Sequence, residues 1–255
     1  MLLAVDIGNT NIVIGVFDGA DIKEHWRLGT VKERTADEYG IVLSALLDNA
    51  GIKPGEITGG IVSCVVPQLK DTFTGLLSGK LGIEPLVVGP CVKTGMPILT
   101  DDPREVGADR IVNAVAAYAA HKGPLIVVDF GTAVTFDYVT PAGEYAGGAI
   151  APGIDVSSDA LFRRAARLPR VELRKPKTVI GKGTVESMQA GIFYGFVGLV
   201  EGLVERIKKE TGTRPKVIAT GGLAGVVSGE SRVIDEVDEF LTLKGLRIIH
   251  ESNIR

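Results

Sequence analysis

Two stretches of this chain, far apart, read alike. An apolar run from Leu2 to Val5 meets Asp6-Ile7-Gly8-Asn9-Thr10-Asn11 and resumes as Ile12-Val13-Ile14-Gly15-Val16-Phe17. Leu125-Ile126-Val127-Val128 meets Asp129-Phe130-Gly131-Thr132, and a second β-rich run follows. Asp6 and Asp129 lie 123 positions apart, as do Gly8 and Gly131. An apolar strand that turns back through a short polar glycine bend is a hairpin. Two hairpins in the same layout predict a duplicated αβ unit, its halves facing one another across a cleft. The other account is chance similarity between two buried strands; the matching flanks and following turns favour duplication. The division falls at residues 1–118 and 119–255.

Helices and further strands fill each half. Thr35 as N-cap with Glu38 three residues on opens a helix carrying Tyr39, Val42, Leu43, Leu46 and Leu47. Ile61 to Val66 is a strand stopped by Pro67, a short helix leads to a strand at Leu86 to Val88, and residues 103 to about 122 read as helical. In the second half a helix is expected from about Val156 to Leu168, then a loop rich in Lys, Arg and Pro, then a long helix from Thr184 to about Glu210. Lys216 to Gly222 is a strand entering a glycine turn, and a helical stretch closes the chain. Gly191, Gly195, Gly198 and Gly202 share one face of the long helix. Each costs about 1 kcal/mol relative to Ala, so close packing against another backbone is expected, in the same chain or, second in order, in a second subunit.

Composition narrows the function classes. There are 33 glycines in 255 residues, nearly twice the average share, without a collagen period. A net charge of −3 gives no footprint for nucleic acid or an anionic membrane. Two cysteines, Cys64 and Cys91, make no disulfide framework or CxxC motif. No apolar leader precedes Asp6, and the apolar stretches are broken by Gly and Glu. A reduced, cytoplasmic, soluble enzyme is expected.

Three glycine bends end apolar strands, at Asp6–Thr10, Asp129–Thr132 and Thr220–Gly222. Glycine lets backbone N–H groups close on a phosphate. Asp6 and Asp129 could hold a cation beside it, directly or through water, with Thr10 and Thr132 at the same level. One such bend alone would be only a tight hairpin; two duplicated bends and a third predict a nucleotide cleft. A Walker A loop fails, since Gly181-Lys182 is followed by Gly183, and no G-x-G-x-x-G, HExxH or G-x-S-x-G motif is present. In Glu105-Val106-Gly107-Ala108-Asp109-Arg110, Asp109 is either a first-turn helix residue beside a surface Arg or the acceptor of a substrate proton. Arg110 in the second account takes an anionic group. Residue chemistry leaves the two even.

The blocks DIGNTNIVIGVFDG, EVGADRIVNAVAAY, VVDFGTAVT, GGAIAPGI, RAARLPRVEL, GKGTVESMQAGI and ATGGLA occur in order over nearly the whole chain. Together they resemble type III pantothenate kinase. The resemblance implies an α/β fold of two ribonuclease H-like domains of the actin-like sugar and acetate kinase superfamily. It implies ATP-dependent phosphorylation of pantothenate, the first step of coenzyme A synthesis, by a homodimer that needs Mg2+ and a monovalent cation, K+ or NH4+. By motif, Asp6, Ile7, Gly8, Asn9, Thr10, Asn11, Ile12 and Val13 form the first phosphate-binding segment. Gly131 and Thr132 contact ATP, Asp6 serves the divalent cation, through water where not directly, and Asp129 the monovalent cation. Gly107, Ala108, Asp109 and Arg110 contact pantothenate, with Asp109 the catalytic proton acceptor, its carboxylate kept ionised by Arg110 and the helix N-terminus. Thr184 reaches pantothenate across the dimer interface. The family pattern Tyr-x-Asn-Pro is replaced by Thr100-Asp101-Asp102-Pro103, which removes an aromatic wall from the substrate pocket. Two other readings are a regulatory protein, as some family members are described, and a kinase of the same superfamily acting on another small alcohol or sugar.

Overall fold

In the computed structural model, which describes residues 1–90 and 92–254, the two echoing segments build two sheets of five strands each. Cys91 lies outside the described residues. In the first sheet β1 (Leu2–Ile7) pairs antiparallel with β2 (Asn11–Asp18), and β2 with β3 (Asp21–Gly29). On its other side β1 pairs parallel with β4 (Gly59–Cys64), and β4 with β5 (Leu86–Val87). The second sheet repeats this order with β6 (Leu125–Phe130) at its centre. There β7 (Ala133–Val139) and β8 (Tyr145–Pro152) lie antiparallel on one side, and β9 (Lys216–Gly221) and β10 (Glu236–Val237) parallel on the other. The expected duplication is present, strand for strand.

The helices follow their local signals with two corrections. α1 (Ala36–Asn49) carries the expected capping box: Thr35 Oγ1 accepts from Glu38 N at 3.3 Å and Glu38 Oε2 accepts from Thr35 N at 2.7 Å. α2 (Pro67–Leu81) starts on its proline. The run expected to be helical from Pro103 is a 3-10 turn over Pro103–Glu105, an extended Val106 (ψ 125°), and then α3 (Ala108–His121). α4 (Ile154–Arg164) ends before Leu168 because Ala165 is extended. α5 (Thr184–Thr211), α6 (Ala224–Ser228) and α7 (Leu241–Asn253) complete the chain.

One face of the first sheet (Leu3, Val5, Ile7) is buried with α1 and α2 through Leu43, Leu47, Phe73 and Leu77. The other face takes α7. A Cβ on Gly15 would lie 2.8 Å from Leu243, and one on Gly59 2.9 Å from the His250 ring. α7 in turn crosses α3 so closely that a Cβ on Gly245 would meet the Val112 carbonyl oxygen at 2.1 Å. These contacts place the segment from Phe240 onward with the first compact unit, Met1–Ala119, and leave Ala120–Glu239 as the second. A division at 118/119 alone would put α7 in the second half. Its buried Leu243, Leu246 and Ile249 belong to a helix that instead packs on the first sheet.

In the second unit, Val128 and Phe136 of the sheet are buried with Phe193, Val197, Val200 and Val204 of α5. By length and composition α5 could cross a membrane, and this core face accounts for its apolar residues. Gly191, Gly195 and Gly198 lie on the exposed side of α5, with nothing within 4 Å of where a Cβ would stand. The expectation that this stripe packs on a backbone of the same chain is therefore not met.

Candidate active site

The first bend is tied at both ends. Gly8 N–H donates to Asn11 O at 2.9 Å, Thr30 N–H to Thr10 O at 2.9 Å, and Thr30 Oγ1 to Gly8 O at 2.7 Å. A Cβ on Gly8 would stand 3.0 Å from Asn11 O, so glycine suits the close approach there. Asn9, Thr10 and Asn11 are exposed, whereas Ile7 and Ile12 are wholly buried in the core. The segment can thus present backbone groups and three polar side chains, but not the side chains of its isoleucines.

The second bend repeats the design. Gly131 N–H donates to Ala133 O at 3.0 Å, and Gly153 N–H, at the start of α4, donates to Thr132 O at 3.0 Å. A Cβ on Gly153 would fall 2.3 Å from that oxygen. Gly131 and Thr132 are both exposed. The third glycine bend closes on this one: Gly221 has φ +92°, and a Cβ there would sit 2.6 Å from both Asp129 Oδ1 and Phe130 O. Two of the three bends expected to share a site are therefore in contact within the second unit.

Strand register sets what flanks each aspartate. Asp6 lies between Val13 and Ser63, and Asp129 between Thr135 and Thr220. Side chains of such partners share a face of the sheet. Ser63 is fully buried and its Oγ has no hydrogen-bond partner. Cys64, on the adjoining position, has its thiol pushed up by burial, partly offset by its bond to Val66 O, with the Asp6 charge raising it further. It therefore offers no thiolate nucleophile. Among the described residues no three His, Cys, Asp or Glu side chains gather to hold a metal. One carboxylate with an orphaned hydroxyl suits Mg2+ carried largely by water and substrate phosphates. The oxygen-rich row around Asp129 suits a larger, weakly charged cation.

Asp109 stands in the first turn of α3. Its Oδ1 accepts from Arg110 N–H at 2.9 Å and folds back so that a Cβ on Gly107 would be 2.6 Å away. Burial pushes its carboxyl above the usual carboxylate range, and the Arg110 N–H and guanidinium pull it back only in part. The expectation that Arg110 and the helix end dominate is corrected: desolvation wins, which makes the carboxylate a better proton acceptor. Thr100, in the place of the family tyrosine, has a buried Oγ1 with no partner.

Thr184 is exposed at the start of α5, on an open groove of about 880 Å³ that Leu161, Leu168, Lys182, Met188, Gly191 and Ile192 also line. Gly181 is pressed on that helix end, a Cβ there falling 2.4 Å from Ser187 N. Thr30, Gly153 and Ser63 are absent from the sequence-based site. Gly153 sits in the GGAIAPGI block, so that block was its only signal, while Thr30 and Ser63 are visible only through register and contact.

A family model described as type III pantothenate kinase matches residues 2–206. A type III pantothenate kinase from Moorella thermoacetica is 56% identical over 253 residues, covering 99% of this chain and 100% of the relative. Among solved structures, a conserved Baf family protein from Campylobacter jejuni has a TM-score of 0.61 at 21% identity, covering 99% and 98% of the two chains. An inorganic polyphosphate/ATP-glucomannokinase from Arthrobacter has a TM-score of 0.50 at 15% identity, covering 98% and 97%. The two structures bear on fold alone, and they agree with the duplicated ribonuclease H-like architecture that the paired sheets display. With the glycine bends and the GADR helix start in their expected elements, the chain belongs to the type III pantothenate kinase family.

Proposed function

We propose that this chain transfers the γ-phosphoryl group of ATP to the primary hydroxyl of pantothenate, forming 4'-phosphopantothenate and ADP in the first step of coenzyme A synthesis. The observation that carries the reading is the full-length match to a kinase family whose phosphate bends recur here in tied, glycine-dependent form. In the first unit, residues 6–13 serve the nucleotide phosphates through the exposed bend of Asn9, Thr10 and Asn11, and in the second unit Gly131 and Thr132 are the ATP-contacting residues. Arg110 pairs with the pantothenate carboxylate. The pantothenate oxygen bonds to the γ-phosphorus as the bridge to the β-phosphate breaks, and the hydroxyl proton passes to Asp109. Because such transition states are loose, orientation by Asp109 counts for more than basicity. Mg2+ near Asp6 and K+ or NH4+ near Asp129 supply charge neutralisation for the transferring group when bound.

The working form in this reading is a cytoplasmic homodimer. The exposed glycine side of α5, with Leu161 and Phe162 exposed on α4, supports a second copy packing there and bringing its own Thr184 to the substrate. Pantothenate and neutral sugars, compared at equal concentration with ATP, Mg2+ and K+, test the acceptor. ADP release with pantothenate alone is expected; release with a sugar and none with pantothenate would move the chain to another acceptor class.

A further inference from the structure

The two sheets share a frame, so each is a control for the other. Beside Asp6 the first sheet sets Val13, and beside Ala4 it sets Gly15. At the matching places the second sheet sets Thr135 beside Asp129 and Asp137 beside Val127. The atoms nearest a Cβ on Gly15 belong to the apolar Leu243. Asp137, by contrast, is a carboxylate with no exposed surface. Its Oδ1 accepts from Tyr145 Oη at 2.6 Å, and its Oδ2 accepts from Thr135 Oγ1 at 3.0 Å. Tyr145 is itself fully buried. Burying a carboxylate is costly even when it is well bonded, and the first sheet builds the same topology without one.

The consequence lies in the Thr135 hydroxyl. It has a single proton, and that proton is committed to Asp137, which leaves the oxygen lone pairs as its remaining capacity. Thr135 faces Asp129 across the β6–β7 pair, and Thr220, 2% exposed, flanks Asp129 from β9. Three oxygen-bearing side chains stand abreast, of which only the middle one carries a charge. The row beside Asp129 offers more side-chain oxygens than the one carboxylate and one hydroxyl beside Asp6, which suits a cation that the protein ligates directly over one that keeps most of its water.

Resting on the reading of Asp129 as the monovalent-cation residue, we propose that Asp137 and Tyr145 are positioning residues that turn the Thr135 proton away, so that Thr135 supplies a second ligand oxygen to that cation. Thermal unfolding of the full chain with Mg2+ and ADP, titrated with KCl against choline chloride at constant ionic strength, reads this without turnover. The wild type should show stabilisation specific to K+ and a half-effective K+ concentration. Thr135→Val should raise that concentration at least fivefold, and Thr135→Ser should restore it to within twofold. Asp137→Asn should act in the same direction as Thr135→Val, because an amide donating to Thr135 turns the hydroxyl proton toward the cation. Tyr145→Phe should have a smaller effect. A network that only supports the fold would lower stability equally in K+ and choline and leave the half-effective concentration unchanged; that result in folded Thr135→Val overturns the proposal. Should the Asp137→Asn chain fail to fold, the Thr135→Val and Thr135→Ser pair decides alone. Absence of any K+-specific effect in the wild type would overturn the cation reading of Asp129 and the positioning role with it, while pantothenate-dependent ADP release would be judged separately.

Discussion

Replacing Asp109 with asparagine separates chemistry from stability. The amide oxygen can still accept from Arg110 N–H, the contact made at 2.9 Å, and the side chain keeps its size beside Gly107. What disappears is the proton acceptor. Loss of a positioned acid–base group costs roughly 10²–10⁴ in rate, or about 3–5 kcal/mol of transition-state stabilisation. The effect on folding has the opposite sign. Burial holds the Asp109 carboxyl above its ordinary 3.8, so the folded chain binds that proton more tightly than the unfolded chain does. Its contribution to stability is full below pH 3.8 and declines as pH rises through the folded-state value. At neutral pH the ionised carboxylate is a burden on the fold, and the neutral amide relieves it. Asp109→Asn should therefore melt at or above the wild-type temperature while losing at least a hundredfold in turnover in a coupled ADP-release assay. The wild-type rate should fall on the acid side along a limb lying above pH 3.8. Turnover within tenfold of wild type would remove Asp109 from the chemistry, and a drop in melting temperature of several degrees would contradict the burial argument.

Other perturbations follow from close contacts and exposed faces. Gly221→Ala puts a Cβ 2.6 Å from Asp129 Oδ1 and Phe130 O at φ +92°. Backbone strain of about 1–2 kcal/mol and crowding of about 1–3 kcal/mol should lower the melting temperature by roughly 10 °C and impair activity, as differential scanning fluorimetry and ADP release would record. Gly195→Leu faces open space within one chain, so sedimentation should find the variant well folded but monomeric if a second copy covers α5; an unchanged dimer would place the interface elsewhere. Burial lowers the His250 imidazole below its ordinary 6.5. Its contribution to stability is present above pH 6.5 and lost as pH falls below it, so the melting temperature of the wild type should decline more steeply there than that of His250→Gln.

Much of the fold is legible in the sequence because local chemistry and tertiary demand agree. The Thr35–Glu38 box, the proline at the start of α2 and the two Asp-x-Gly bends each announce their own geometry. β3 escapes a sequence reading for a physical reason: it is an edge strand with no fully buried position, and Lys23, Glu24, His25 and Arg27 blur its alternation. The place of α7 is not readable, since its apolar stripe specifies burial but not which sheet supplies it; Gly15 and Gly59, more than a hundred residues away, make the room. The direction of the Asp109 shift is hidden because a neighbouring arginine is visible in sequence and desolvation is not. The contact of Gly221 with Asp129 likewise appears only when β9 is laid against β6.

The central claim, phosphoryl transfer to the pantothenate hydroxyl, is tested most directly by following the phosphorus. Phosphorus NMR of the purified chain with ATP, Mg2+, K+ and pantothenate should show one new phosphomonoester signal, split by an adjacent CH2, growing in step with ADP and vanishing with Asp109→Asn. Growth of inorganic phosphate instead, or no pantothenate-dependent loss of the γ-phosphate signal from a folded protein, would contradict it.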